Sequence, residues 1–270
     1  MTHPEDHPDA PRQHPACHSP VASPMISVII PVLHEAATIN ECIAHVKGLE
    51  CCTDVEILVV DALDVTGTGD TLAALAPEHL APEAAVRVHP LRAPRGRANQ
   101  MNAGAAQARG HILVFLHADT RLPPAGLILI WQALFPPRGG KPAQAGAFSL
   151  GYAEGGLLLE CMARLASLRN RLTGTPYGDQ AQFFRTETFH AMGGYPAIPL
   201  MEDVDIMRTL HRRGEQLVIL PQRVATSARR YRADGLLWAG LRNNGLRLLH
   251  ACGVPPQALT HWYRAFQDKS

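Results

Sequence analysis

Three short runs of unbroken apolar residues constrain this chain more than any other feature. They are ISVIIPVL at residues 26–33, VEILVV at 55–60 and HILVFL at 111–116. None alternates apolar with polar, so each reads as a strand buried on both faces of a parallel sheet. Helical patterns separate them. Ile39, Cys42, Ile43 and Val46 recur at helical spacing in residues 36–47, residues 70–76 read as a short helix, and an alanine-rich helix fills RGRANQMNAGAAQARG. A further strand is expected at 85–89. Strands alternating with helices in this way give right-handed βαβ units, hence an α/β fold with a mostly parallel central sheet flanked by helices.

At 270 residues the chain is long enough for one large α/β domain. Its formal net charge of +1 gives no electrostatic reason to bind nucleic acid or a membrane. With neither an 18-residue apolar run nor a basic-then-apolar leader, it reads as a soluble, cytoplasmic protein. Its six cysteines lack metal-ligand spacing and read as idle thiols. Residues 1–24 are rich in Pro, His and Asp with almost nothing to bury, so a disordered tail is expected there. Met1 and Met25, the latter directly before the first strand, are both candidates for the native start.

Open α/β sheets bind ligands outside the carboxyl ends of their strands. Asp61 ends the second apolar run, and Asp119 follows the third in the turn His-Ala-Asp-Thr. Arg95 and Arg97 stand between them, at the start of the alanine-rich helix, where free N–H groups favour anions. Acids that suit a ribose, a base or a metal, beside bases that suit phosphate, describe a nucleotide site. The chain has neither GxGxxG after the first strand nor GxxxxGK[ST], so it has neither a dinucleotide fingerprint nor a P-loop. The later chain reads as a helix ending near 134, a strand at 145–152, a helix at 156–172, a short strand at 181–184, a helix at 204–213, a strand at 216–220 and a helix at 235–250.

In order, the motifs ISVIIPVLHEA, VVD, GRANQMNAGAA, FLHADT, GDQ, GGY and MEDVD resemble family 2 glycosyltransferases of the GT-A fold. They are most similar to the bacterial subgroup of radical-SAM/selenium-domain-associated transferases. The resemblance spans about residues 26–265. It implies a GT-A domain over 25–265, with a nucleotide-binding half at about 25–120 and an acceptor and catalytic half at about 121–265 that ends in helices. It further implies a nucleotide-diphosphate-sugar donor, UDP-sugar among the choices, and an inverting transfer to an unidentified hydroxyl or carboxyl.

Residue by residue, the resemblance implies that Asp61 holds the base and ribose, that Pro31 and Glu35 line the same pocket, and that Arg95 and Arg97 lie against the nucleotide. Asp119 would bind Mg²⁺ or Mn²⁺, which bridges the diphosphate through oxygen ligands. Of Glu202-Asp203, Asp203 is the first choice for general base and Glu202 the second. Asp205 should point away from both. Arg229-Arg230 either clamps the diphosphate or is a solvated pair. Asp179-Gln180 either binds sugar or acceptor or is a capped turn. Tyr195 and Trp238 are expected in the core or an interface. The helix at 235–250 either packs on the domain or rests on anionic lipid or a partner. By analogy with the family, a lipid-like acceptor and peripheral contact with the inner face of the plasma membrane are among the choices.

Two departures stand out. His117 replaces a first Asp, leaving one sure carboxylate for a metal. ALDVTGT follows Asp61 where relatives read GGSTDGT, so Thr66 stands in place of an Asp and Asp64 is displaced. That loop supports the alternative of a catalytically impaired nucleotide-sugar binder. A sugar-phosphate nucleotidyltransferase is the other alternative, disfavoured because PVLHEAAT lacks the glycine-rich basic loop such enzymes use.

Overall fold

The computed structural model describes residues 25–63, 70–81, 86–137 and 139–267. The expected tail at 1–24 and the loop containing Asp64 and Thr66 lie outside these residues. The apolar runs form β1 (Ile26–Val32), β2 (Val55–Leu63) and, after the strand β3 (Arg87–Pro94), β4 (Ile112–Phe115). Between them lie α1 (Ile39–Lys47), the short α2 (Asp70–Ala73) and α3 (Arg97–Gln107). Next come β5 (Thr120–Arg121), α4 (Gly126–Leu134), β6 (Ala145–Ser149), α5 (Leu157–Thr173), β7 (Phe183–Arg185) and α6 (Thr186–Ala191). The chain continues through α7 (Glu202–Arg212), β8 (Leu217–Arg223), β9 (Ala225–Thr226), α8 (Arg229–Asp234), α9 (Leu236–Ala251) and α10 (Pro256–Gln267).

Seven strands form the central sheet in the order β3-β2-β1-β4-β7-β6-β8. β3, β2, β1 and β4 are parallel, β7 is antiparallel to both β4 and β6, and β8 is parallel to β6. The apolar runs are unbroken because both faces are covered. On one face Ile26, Val28 and Ile30 pack with Ile39 and Ile43 of α1 and with Ile130 and Leu134 of α4. On the other, Ile29, Leu58 and Val60 pack with Met101 of α3 and Met207 of α7. A side chain at Gly104 would meet Ile29 Cγ2 at 2.5 Å, so α3 lies almost directly on β1.

From β1 the chain steps outward to β2 and β3, then crosses back to β4 on the other side of β1. The sheet therefore reverses direction between β1 and β4, and a crevice opens beyond their carboxyl ends. The strand expected at 85–89 instead spans Arg87–Pro94, and Ala85 lies outside the described residues. As the sheet edge, β3 leaves alternate residues exposed, so it carries no continuous apolar run. Helix α7 starts at Glu202 rather than 204, entered through Met201 in a left-handed conformation, and Asp203 in its first turn accepts the Val204 N–H at 2.8 Å. The two-stranded β5–β9 ladder, α6, α8 and α10 were not expected from the sequence. Cys42, Cys51, Cys52, Cys161 and Cys252 are free thiols.

Candidate functional site

At the end of β1, Pro31 is half-buried and pairs with Val60, while Val32 pairs with Asp61 of β2. Asp61 is buried at the carboxyl end of the sheet. The two strand ends are tied together by Gln100 of α3, whose Nε2 donates to the carbonyls of Val32 and Val60 at 2.7 and 2.8 Å. His34 turns the chain with a left-handed φ of 57°. Glu35 follows; its N–H donates to Thr71 Oγ1 at 3.1 Å, and its carboxylate accepts from Thr38 Oγ1 at 2.8 Å. Arg229 Nη2 lies 4.0 Å from that carboxylate, so the late basic segment does return to the loop after β1. Thr120 and Thr226 pair across β5 and β9, and the Ser227 N–H donates to the Asp119 carbonyl at 3.1 Å, which places α8 beside the Asp119 turn. Arg95 is exposed at the entrance to α3. The Arg230 side chain lies outside what is described.

Across the crevice, Asp203 is fixed by two backbone donors. Gly178 N–H donates to Oδ2 at 2.7 Å and Val204 N–H to Oδ1 at 2.8 Å. A Cβ at Gly178 would lie 3.3 Å from His117 Nε2 and 3.4 Å from Asp203 Oδ2, so the His-Ala-Asp turn and Asp203 converge on one glycine. Glu202, 3 % exposed, takes a long contact of 3.5 Å from Arg97 Nη1. Burial first, and then repulsion from Asp203, pushes its carboxyl up to about 7. Burial likewise pushes Asp179 up to about 6, helped by Asp203 and Asp119 and opposed by Arg97. Asp179 Oδ1 is buried and accepts no hydrogen bond among the described residues. The surrounding protein works against the Arg97 charge although the side chain is 41% exposed, but Glu202, Asp203 and Asp179 outweigh it and hold the guanidinium above its ordinary range. Met201, at φ 69°, gives the acid pair its left-handed entry. Such strain persists where the surroundings over-determine it, often at a working site.

The structure therefore brings Asp119, Asp179, Glu202, Asp203, Arg97 and His117 into one cleft. Gln180 does not join them. It is fully buried, its Oε1 accepts from Asn170 Nδ2 and the Tyr177 N–H, and its Nε2 donates to the Phe148 carbonyl. The turn that presents Asp179 points its neighbour inward. Asp205 also faces away, 2.7 Å from His250 Nε2. Tyr195 is a core residue.

Sequence reasoning missed the residues that hold the cleft together. Gln182 Nε2 donates to the carbonyls of Pro176 and Asp203, both at 3.0 Å, and its Oε1 accepts from Tyr195 Oη at 2.8 Å. Asn102 of α3 pairs with both backbone groups of Tyr195, at 2.8 and 2.9 Å. The signal was present as amides inside GRANQMNAG and GDQAQ, at positions that helix and strand periodicity would bury.

Among the described residues no group of three or more His, Cys, Asp or Glu side chains forms a ready-made metal cage. The cleft still fits a hard divalent ion that keeps several outside ligands. Asp119 is half-buried at the strand end, and the crowded carboxylates of Asp179, Glu202 and Asp203 lie close to the Arg97 guanidinium. A bound divalent cation would relieve that repulsion, with Asp119 as its protein oxygen ligand.

Residues 27–135 match the model of glycosyl transferase family 2. The matched stretch holds β1 to β4 and α4. No curated protein sequence matches the chain. Similar solved structures include the mannosyltransferase PcManGT of Pyrobaculum calidifontis with GDP-Man and Mn²⁺, at 20% identity and a TM-score of 0.57, covering 87% of this chain and 68% of that one. Glucosyl-3-phosphoglycerate synthase of Mycobacterium tuberculosis, with Mn²⁺, UDP and glucosyl-3-phosphoglycerate, is similar at 24% identity and a TM-score of 0.54, covering 87% and 82%. TarS of S. aureus with UDP-GlcNAc is similar at 16% identity and a TM-score of 0.55, covering 76% of this chain and 58% of that one. At these identities the likeness establishes the GT-A fold.

Proposed function

We propose that the chain is an inverting glycosyltransferase that moves a sugar from a nucleotide-diphosphate-sugar to an acceptor hydroxyl or carboxyl. The donor half runs to about residue 120, with Asp61, Pro31 and Glu35 receiving base and ribose. Arg95, Arg97 and Arg229 face the phosphates. Asp119 would hold Mg²⁺ or Mn²⁺, which when bound neutralises charge on the leaving diphosphate. Solved neighbours with Mn²⁺ and nucleotide sugars support that assignment.

Asp203 is the general base. One observation carries this assignment: its carboxylate is locked by two N–H donors on the wall opposite the His-Ala-Asp turn, across Gly178. An inverting transfer needs a carboxylate there, within hydrogen-bond reach of the attacking hydroxyl. Glu202, already engaged with Arg97, positions that guanidinium. Asp179 offers a buried, unpaired oxygen to a donor or acceptor hydroxyl. The alternative of a nucleotide-sugar binder without turnover rests on the loop at 64–69, and nothing in the described cleft favours it.

The test is nucleotide release from UDP-, GDP- and TDP-sugars by Asp203→Asn. Loss of general-base catalysis should lower release by roughly 10²- to 10⁴-fold. Donor binding should persist. A variant that turns over within a few-fold of wild type would remove Asp203 from the role.

A further inference from the structure

Helix α5 has two apolar faces. Leu159 and Ala163 turn into the protein together with Ser167 and Asn170. Leu157, Leu158, Leu165, Leu168 and Leu172 stand on the opposite side and are 40% to 83% exposed. At 3.6 residues per turn, these five leucines share an arc of about 100°. Helix α9 lies alongside, with Arg169 Nη1 donating to Asn244 Oδ1 at 2.8 Å and Met162 packed over Gly240. It adds Trp238, Leu241 and Leu248, exposed at 47%, 68% and 65%. Soluble monomers rarely leave so large a contiguous apolar face bare.

On α5 basic residues outnumber acidic ones, with Arg164, Arg169 and Arg171 against Glu160. Arg164 and Arg171 flank the leucines on one side and Arg169 on the other. The acid on this helix, Glu160, is already engaged by Arg164 at 2.7 Å and Arg223 at 2.8 Å. Beside Leu168 a cavity of about 260 Å³ is lined by Arg164, Arg171, Arg223, Ser149 and Ser167, a donor set suited to a phosphate group. Among the described residues no helix is long and apolar enough to cross a membrane.

We propose that α5 and α9 form a docking face for an anionic phospholipid surface. The leucines and Trp238 enter the interfacial layer, and the arginine stems follow them while the guanidiniums stay at headgroup level. The arginine-lined cavity takes a headgroup phosphate. A second copy fits less well, because a two-fold contact would set one arginine rim against another. Residues 1–24 contain no Leu, Ile, Phe, Trp or Tyr and so cannot fill the leucine stripe. The C-terminus of α5 runs into Gly174, four residues before Gly178, so the lipid face adjoins the acceptor wall of the cleft. The inference that the acceptor is lipid-borne rests on the proposed transfer, whereas the docking itself does not.

The experiment is co-sedimentation of the full chain with vesicles of phosphatidylcholine alone or with about one quarter phosphatidylglycerol. The wild type should bind the anionic vesicles roughly tenfold or more tightly than the neutral ones, and about 0.5 M salt should weaken that binding. The triple variant Leu165→Ser, Leu168→Ser, Leu172→Ser changes only exposed residues. It should lose vesicle binding and keep its nucleotide-sugar thermal shift. Equal binding by variant and wild type overturns the proposal, as does no vesicle binding at all. A wild-type dimer that the triple variant turns into a monomer overturns it too, by making the face a subunit interface. Loss of the nucleotide-sugar shift in the wild type would instead count against sugar transfer and leave the lipid face standing.

Discussion

Glu202 carries the clearest pH signature at the level of single residues. Its folded carboxyl titrates at about 7 against an ordinary value of 4.5. An acid raised in this way contributes stability that is complete below about 4.5 and is lost as pH climbs through about 7. Glu202→Gln should therefore gain stability relative to wild type as pH rises from about 5 to 7.5, read from urea midpoints. A gap between the two that stays constant with pH would contradict the buried, repelled carboxyl. Gly178 makes a second residue-scale prediction. Alanine there would crowd His117 and Asp203 at 3.3 and 3.4 Å. Gly178→Ala should cost about 1 kcal/mol of stability, yet lower nucleotide release by roughly tenfold or more, because small displacements of reacting groups are magnified in rate. Equal, minor effects on both would mean that the glycine serves only the turn.

The element that organises the cleft is α3. Its Gln100 joins the ends of β1 and β2, its Asn102 holds the turn at Tyr195, and its Gly104 lets the helix lie on Ile29. Asn102→Ala would leave two buried backbone groups of Tyr195 without partners. It should destabilise the fold by about 2–3 kcal/mol in urea unfolding, and a change under about 0.5 kcal/mol would show that water replaces the amide. This helix also shows what the sequence could and could not reveal. Its alanines and its basic opening were legible, as was the buried β4 that follows, because periodicity and composition are local. The partners of Gln100 and Asn102 were not, since they come from 40 to 93 residues away. The same limit explains Gln180. Nothing in GDQ says which side chain meets the cleft, and only packing against Asn170 and Phe148 turns it inward. Edge strand β3 was read short because exposure breaks its apolar pattern, and the two-residue strands β5 and β9 are too brief to leave one.

At the scale of the whole molecule, the crevice at the carboxyl end of the sheet is walled by segments from distant parts of the chain. A parallel sheet supplies Asp61 and Asp119 at its carboxyl end. The later chain brings Asp179, Glu202 and Asp203 up to the Asp119 turn and Arg97, around Gly178. The sequence marked these segments with acids, but their convergence depends on β7 running antiparallel between β4 and β6, a reversal with no local signature. Sugar transfer by this chain requires a division of labour across that crevice: Asp119 serves the metal-bound donor and Asp203 the acceptor. Thermal unfolding with UDP-, GDP- and TDP-sugars, with and without Mn²⁺, measures it most directly in wild type, Asp119→Asn and Asp203→Asn. At donor about 100-fold above its Kd, binding contributes about 2.7 kcal/mol, which is roughly 5–10 °C for a chain of this size. Wild type and Asp203→Asn should show that rise only with Mn²⁺, and Asp119→Asn should not show it. A Mn²⁺-dependent rise that survives in Asp119→Asn, or that disappears with Asp203→Asn, would contradict the division.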